Sequence, residues 1–232
     1  MGNGQLAGID ADQYSQGGEI PFVRADRPQG ETFASLILAH GAGAPMDSPF
    51  MQQMTERLVA RGVAVLRFEF AYMAERRATG AKRPPNPQAQ LLQQWREVYR
   101  VVRQQTAGRL AIGGKSMGGR MASLLADELV ADALVCLGYP FYAAGKPEKP
   151  RVAHLAELRC PTLIVQGERD ALGNRQTVSH YALSPAIRVE WLEAADHDLK
   201  PLKRSGLTHE QHLDRAADLV SAFLRQPRPG QT

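Results

Sequence analysis

Apolar stretches recur along the chain, and most are separated from the next by a segment with helical spacing. Six mostly apolar runs predict strands, and the first is nearly continuous, as is typical of a strand that is covered on both faces in a parallel sheet. They span residues 33–39, 63–70, 109–113, 133–137, 161–167 and 187–192. A shorter run at 20–23 contains a proline and therefore predicts an edge strand.

Five segments between or after these strands predict helices, over residues 50–61, 88–105, 116–130, 173–183 and 208–224. In the second of them the apolar residues fall on one helical face, and in the last Thr208 and Gln211 occupy capping-box positions. Residues 71–87 predict an irregular loop, and 139–159 at most a helical turn or two. Strands that alternate with helices predict an α/β fold with a mostly parallel, doubly wound sheet and helices on both faces.

The length of 232 residues fits one domain, which we place at residues 18–225. Residues 1–17 are polar and rich in glycine and predict a flexible arm, and 226–232 predict a disordered tail. The chain has no secretory start and no apolar run of membrane-spanning length. With only two cysteines, this predicts a cytoplasmic protein that does not associate with membranes.

A glycine-rich segment joins the predicted strand at 109–113 to the helix that follows it. It reads Gly114-Lys-Ser-Met-Gly-Gly-Arg, so that Ser116 stands between glycines. Gly-x-Ser-x-Gly alone occurs in many loops, but between a strand and a helix it predicts a sharp turn that exposes the serine hydroxyl above the sheet edge. The alternative is a simple glycine-rich turn with a solvated serine.

A serine hydroxyl needs a general base, and the base needs an acceptor that orients it. Asp170 follows the strand at 161–167, and His197 follows the last strand. Because the carboxyl ends of parallel strands meet at one edge of a sheet, we expect both to join Ser116 in a catalytic triad. The alternative carboxylates are Glu168, Asp196 and Asp198.

A tetrahedral intermediate also needs two N–H donors for its oxyanion. The Met117 amide, at the start of the predicted helix, is the first candidate. The second is Ala42, with Gly43 in reserve, in the small-residue loop after the strand at 33–39. We expect His40 to hold this loop by hydrogen bonds. The sequence predicts no metal site and no cofactor.

From about residue 33 to 225 the chain resembles the α/β-hydrolases. Four segments carry the resemblance: His40-Gly-Ala-Gly, Gly114-Lys-Ser-Met-Gly-Gly-Arg, Val165-Gln-Gly-Glu-Arg-Asp-Ala-Leu and Trp191-Leu-Glu-Ala-Ala-Asp-His-Asp-Leu-Lys. They are similar to a branch that holds bacterial dienelactone-hydrolase-like proteins, testis-expressed hydrolase-like proteins and a subunit of a chromatin acetyltransferase complex. The resemblance implies Ser116 as nucleophile, His197 as base and Asp170 as its orienting acid. Dienelactone hydrolases proper carry cysteine where this chain has Ser116.

The interval between the predicted strands at 133–137 and 161–167 leaves no room for a large lid. A shallow, open site favours small or soluble carboxylic esters, cleaved through an acyl-enzyme on Ser116. Peptidase or thioesterase action would use the same machinery. A non-catalytic interaction module is a further alternative.

The net charge of +4 changes this picture only through its placement. Ten cations fall in three segments that leave the predicted sheet at the edge of Ser116: Arg76, Arg77, Lys82 and Arg83; Lys146, Lys149 and Arg151; Lys200, Lys203 and Arg204. We define these ten residues as the cationic rim. It predicts an anionic substrate or partner rather than nucleic acid. The alternative is ordinary solvated loop charge.

Overall fold

The computed structural model describes residues 23–227. Within this range seven strands form one sheet in the order β1-β3-β2-β4-β5-β8-β9, and two form a small separate hairpin. The strands are β1 Val23–Asp26, β2 Ala34–Ala39, β3 Val63–Phe68, β4 Leu110–Lys115, β5 Ala133–Leu137, β6 Tyr142–Ala143, β7 Lys146–Pro150, β8 Thr162–Gly167 and β9 Ile187–Leu192. In the large sheet β1 is antiparallel to β3, and all other neighbours are parallel.

Helices cover both faces of the sheet. They are α1 Pro49–Val59, α2 Ala71–Thr79, α3 Gln88–Gln104, α4 Met117–Ser123, α5 Arg175–Val178 and α6 His209–Arg225. One core cluster contains buried side chains of α2, α3 and α4, and the other contains those of α1 and α6. The predicted α/β architecture, doubly wound and mostly parallel, is therefore confirmed. No helix between residues 23 and 227 is both long and apolar enough to cross a membrane.

Four predicted elements differ from the structure. Residues 71–79 form α2 instead of an irregular loop, and the helix after Ser116 ends at Ser123 and continues only as turns. The segment 139–159 contains the β6–β7 hairpin as well as one 3-10 turn, Ala153–Ala156. The helix predicted at 173–183 is reduced to α5. The predicted arm 1–17, most of the strand at 20–23 and residues 228–232 of the predicted tail lie outside the described residues.

These differences have local physical causes. Residues 71–79 consist mostly of strong helix formers, and Gly80 ends the helix in the left-handed region at a φ of 74°. The β6–β7 hairpin lacks an apolar pattern because all five residues of β7 are exposed. Helix α6 begins as predicted, since the Thr208 side chain and Gln211 cap it reciprocally.

The turn between β4 and α4 requires close backbone approach, and this gives a stability prediction. A Cβ on Gly118 would stand 2.6 Å from the carbonyl oxygens of both Ala39 and His40. We expect Gly118→Ala to lower the free energy of unfolding in urea by about 3 kcal/mol, because backbone atoms must shift to admit the methyl group.

Gly108 offers a matched control, because a Cβ there meets nothing within 4 Å. Gly108→Ala should change the free energy of unfolding by less than about 0.5 kcal/mol. Equal, small effects of the two substitutions would contradict the tight packing of the turn.

Candidate active site

Ser116 occupies the sharp turn between β4 and α4. Its φ of 52° and ψ of −117° lie in a region that residues with a side chain rarely adopt. Such a conformation costs about 1–3 kcal/mol and persists only where neighbouring structure enforces it. Here the Ser116 amide donates to the Leu137 carbonyl at 3.0 Å, and the Arg120 amide donates back to the Ser116 carbonyl at 3.0 Å.

Ser116, His197 and Asp170 form one continuous chain of hydrogen bonds. The Ser116 Oγ lies 2.9 Å from the His197 Nε2, and the His197 Nδ1 lies 2.7 Å from the Asp170 Oδ2. An ionised carboxylate can only accept, so Nδ1 carries the imidazole proton and Nε2 is free to accept the serine proton. The three side chains whose meeting the sequence predicted are thus within proton-transfer distance.

Asp170 is fully buried and held from two further sides. The Leu172 amide donates to its Oδ1 at 2.7 Å, and the Gln166 side-chain amide donates to its Oδ2 at 2.8 Å. Both contacts stabilise the ionised carboxylate and fix the oxygen that faces His197.

The alternative carboxylates have other partners. Glu168 pairs with Arg175 at 2.8 Å and accepts the Ala194 amide. Asp196 accepts the amides of its own turn, and Asp198 pairs with Lys115 at 3.1 Å. Of these candidates, only Asp170 is hydrogen-bonded to His197.

The loop 41–44 lies against this turn. A Cβ on Gly41 would be 3.6 Å from the Ser116 Cβ. His40 is buried; its Nε2 accepts the Phe70 amide at 3.1 Å, so its Nδ1 donates to the Gly41 carbonyl at 2.7 Å. Burial lowers the pKa of His40, which favours the neutral ring that this pair of bonds requires. His40 therefore holds the loop as expected.

Helix α2 holds the same loop from outside. The Tyr72 hydroxyl donates to the Ala42 carbonyl at 3.0 Å, and Arg76 donates to the Gly43 carbonyl at 3.2 Å. Within the described residues the Ala42 N–H donates to no acceptor, and Met117 is the first residue of α4, where no intrahelical acceptor exists. Both amides remain available, and their roles as oxyanion donors stay predictions.

Sequence reasoning missed the contribution of α2. The interpretation as a loop rested on clustered arginines and prolines, although the prolines all follow the helix. The detectable signal was Tyr72-Met73 followed by Arg76-Arg77, an apolar pair and a basic pair one helical turn apart. Tyr72 and Met73 are buried, which turns the arginines toward loop 41–44 and its acidic neighbours.

Lys115, directly before the serine, was also missed. Its side chain is only 9% exposed, and its Nζ donates to the His197 carbonyl at 2.9 Å and pairs with Asp198 at 3.1 Å. Burial lowers the pKa of this ammonium group, and the Asp198 carboxylate partly offsets that effect. Lys115 therefore ties the residue before Ser116 to the loop that carries His197.

We expect Lys115→Met to lower kcat for a p-nitrophenyl ester by about ten- to hundredfold, with a smaller change in KM, because His197 loses its anchor. The free energy of unfolding should change little, since a buried ammonium group is costly and Met fills the same space. Steady-state kinetics and urea unfolding measure the two effects. Lys203→Met, an exposed control, should alter neither; an unchanged kcat in Lys115→Met would refute the anchoring role.

A second serine–histidine pair joins the last residue of α4 to the 3-10 turn Ala153–Ala156. The Ser123 Oγ donates to the Arg120 carbonyl at 2.8 Å and is 2.8 Å from the His154 Nε2. With its one proton directed to that carbonyl, Ser123 can only accept from Nε2, so His154 is not its base. Burial lowers the pKa of His154 to about 4, and no carboxylate of the described residues is hydrogen-bonded to it. This pair lacks the orienting acid that His197 has.

Comparison with known proteins agrees with this architecture. A family model described as an alpha/beta hydrolase domain matches residues 32–225, and the chain belongs to the α/β-hydrolase family. The structure is similar to an α/β serine hydrolase without lid from Xanthomonas campestris, with a TM-score of 0.63, 18% identity and coverage of 88% of this chain and 90% of that one.

Two further solved structures are similar over comparable lengths. Dienelactone hydrolase from Anabaena variabilis has a TM-score of 0.64 at 20% identity, with coverage of 87% of this chain and 89% of that one. Est1E from Butyrivibrio proteoclasticus, bound to ferulic acid, has a TM-score of 0.65 at 17% identity, with coverage of 88% and 93%. At these identities the similarity establishes the fold.

Proposed function

We propose that the protein is a serine hydrolase that cleaves small or soluble carboxylic esters through an acyl-enzyme on Ser116. The observation that carries the proposal is the continuous hydrogen-bonded chain from the Ser116 hydroxyl through His197 to the buried Asp170. The α/β-hydrolase fold and the hydrolase names of similar structures support it.

The proposed reaction begins when the Ser116 Oγ attacks the ester carbonyl carbon and passes its proton to the His197 Nε2. Asp170 stabilises the resulting imidazolium through Nδ1. The oxyanion accepts hydrogen bonds from Met117 and Ala42, with Gly43 in reserve, and loss of one such donor costs about 3 kcal/mol. As the intermediate collapses, the carbon–alkoxy bond breaks and the alkoxide takes the Nε2 proton. Water, deprotonated by the His197 Nε2, then attacks the acyl carbonyl carbon. The bond from that carbon to the Ser116 Oγ breaks, His197 returns the proton to Oγ, and the acid is released.

The short connection between β5 and β8 supports small or soluble substrates. Between β5 and β8 the structure has only the two-stranded hairpin and the 3-10 turn Ala153–Ala156. So short a connection offers little apolar cover for long acyl chains. We also propose a cytoplasmic location, which the free, buried thiols of Cys136 and Cys160 support.

Labelling with a fluorophosphonate probe tests the proposal. A probe adduct on Ser116 and hydrolysis of p-nitrophenyl acetate are the expected results. A folded wild-type protein that shows neither would overturn the esterase proposal and favour a non-catalytic interaction module. The strained backbone of Ser116 argues against such a module, which would have no use for it.

A further inference from the structure

Arg120 lies one helical turn after Ser116, and within the described residues its side chain forms a single hydrogen bond. Four residues along an α-helix rise about 6 Å, so Arg120 begins close to the serine. Its Nη2 donates to the Gln88 side chain at 3.2 Å, whereas its Nε is buried without a hydrogen-bond partner. A guanidinium group has five N–H donors, and leaving a buried one unsatisfied is costly. The Arg120 Nη1 also forms no hydrogen bond within the described residues, and because it is not buried an anion can bind there.

Arg151 adds positive charge near Arg120, whereas His154, with a pKa of about 4, is neutral near pH 7. Burial and the charge of Arg151 lower the pKa of Arg120, and the Arg120 charge acts on His154 in the same direction. The Tyr139 hydroxyl donates to the Arg151 carbonyl at 3.2 Å and lies 3.4 Å from the His154 ring, which joins these residues into one group. Within residues 23–227 no carboxylate forms an ion pair with Arg120 or Arg151. We define Arg120, Arg151 and His154 as the elbow cluster.

The elbow cluster differs from part of the cationic rim. In the first rim segment Arg77 is bound by Glu69 and Asp47, and Arg83 pairs with Glu75 at 2.9 Å. Those charges are largely neutralised within the protein. The rim segment that ends in Arg151 has no such ion pairs among the described residues, and its lysines lie on the exposed strand β7.

Arg120 lies four residues after Ser116, so the two residues share one face of the turn into α4. Tyr139, whose hydroxyl lies beside His154, directly follows Gly138, where a Cβ would stand 3.4 Å from the His197 Nδ1. Arg120 and His154 are partly exposed and Arg151 is exposed, so a ligand can reach them. We propose that Arg120, assisted by Arg151, binds an anionic group of the ester substrate, a carboxylate being the group whose geometry a guanidinium matches with paired hydrogen bonds.

This inference rests on the proposed esterase function and narrows its substrates to esters that carry a negative charge. The test compares two esters of equal acyl length, mono-p-nitrophenyl glutarate and neutral p-nitrophenyl pentanoate. The measured quantity is the ratio of kcat/KM for the anionic ester to that for the neutral one. We expect Arg120→Gln to lower this ratio by about tenfold and Arg151→Gln by about threefold, since charged hydrogen bonds are lost.

Arg215→Gln, on the exposed face of α6, is the matched control and should leave the ratio unchanged. Raising the salt concentration should lower the wild-type ratio, because ions screen the attraction. If Arg120→Gln does not fold, Arg151→Gln decides, because Arg151 is exposed. A ratio that neither substitution changes would overturn the inference.

Glutarate itself separates this inference from the esterase proposal. Calorimetry should detect glutarate binding to the Ser116→Ala protein, and Arg120→Gln in that background should abolish it. Binding that depends on Arg120, in a protein that hydrolyses neither ester, would preserve the anion site and refute the esterase. Hydrolysis of the neutral ester by a protein that does not bind glutarate would support the esterase proposal and refute the anion site. Glutarate should compete with the neutral ester; inhibition that is not competitive would mean a separate effector site and overturn the substrate role.

Discussion

Replacing Ser116 with alanine is expected to lower kcat for p-nitrophenyl acetate by about 10⁵-fold or more. In the proposed mechanism this hydroxyl forms the acyl bond, and nucleophile removal in comparable triads costs about six orders of magnitude. The remaining rate would come from the oxyanion donors and from binding. Hydrolysis against a buffer blank and the mass of the fluorophosphonate-treated protein measure the effect.

Ser123→Ala is the control that this chain offers. Ser123 also lies near a histidine, but its proton is directed to a helix carbonyl and its histidine lacks a carboxylate partner. Alanine suits a helix interior, so the fold should tolerate the change. Ser123→Ala should keep both labelling and turnover. If Ser123→Ala lost labelling and Ser116→Ala kept it, the nucleophile would be Ser123 and the proposal for Ser116 would be refuted.

The sequence predicted those parts of the fold that depend on local pattern. Mostly apolar runs located six of the seven strands of the sheet described here, although the edge strand β9 alternates apolar with charged residues. The turn at Ser116 was also readable, because close packing of Gly118 against the carbonyls of Ala39 and His40 excludes every larger side chain. A glycine that is required for steric reasons makes the local backbone geometry predictable from the sequence.

Contacts between distant segments could not be predicted in the same way. Lys115 follows a glycine in an apolar strand, and nothing near it in sequence shows that its ammonium group meets the His197 carbonyl. The uncompensated charge of Arg120 is likewise visible only after folding, because it depends on which carboxylates fail to reach it. The predicted cationic rim counted charges by segment and therefore could not tell neutralised arginines such as Arg77 from free ones.

Replacing Asp170 with asparagine is expected to lower kcat/KM by about 10⁴-fold without unfolding the protein. Asparagine has the same shape, but one of its two terminal atoms is a donor. Both oxygens of Asp170 accept: Oδ1 from the Leu172 amide, and Oδ2 from Gln166 and His197. In either orientation the new NH₂ group therefore faces another N–H donor, which is the Leu172 amide on one side and the Gln166 amide or the His197 Nδ1 on the other.

Gln166 cannot relieve this conflict by turning over. Its Oε1 accepts the Tyr139 amide at 2.7 Å, and its Nε2 donates to the carbonyls of Tyr139 and Gly173, each at 3.1 Å. A flip would break these bonds in a fully buried site. The side-chain amide introduced by Asp170→Asn can then adopt either of two unfavourable orientations. It opposes the Leu172 N–H and strains the turn, or it donates to the His197 Nδ1 and moves the imidazole proton to Nε2.

The second choice removes the base, because a protonated Nε2 cannot accept the Ser116 proton. ¹⁵N NMR of His197 should show the change of tautomer in Asp170→Asn, and steady-state kinetics should show the loss of kcat/KM. Asp218→Asn, on the exposed side of α6, is the control and should change neither. A loss of less than tenfold would mean that another carboxylate orients His197, and Asp196 or Asp198, which adjoin it in sequence, would be the ones to test next. The tautomer therefore links the buried environment of Asp170 to the reactivity of a serine that Asp170 does not touch.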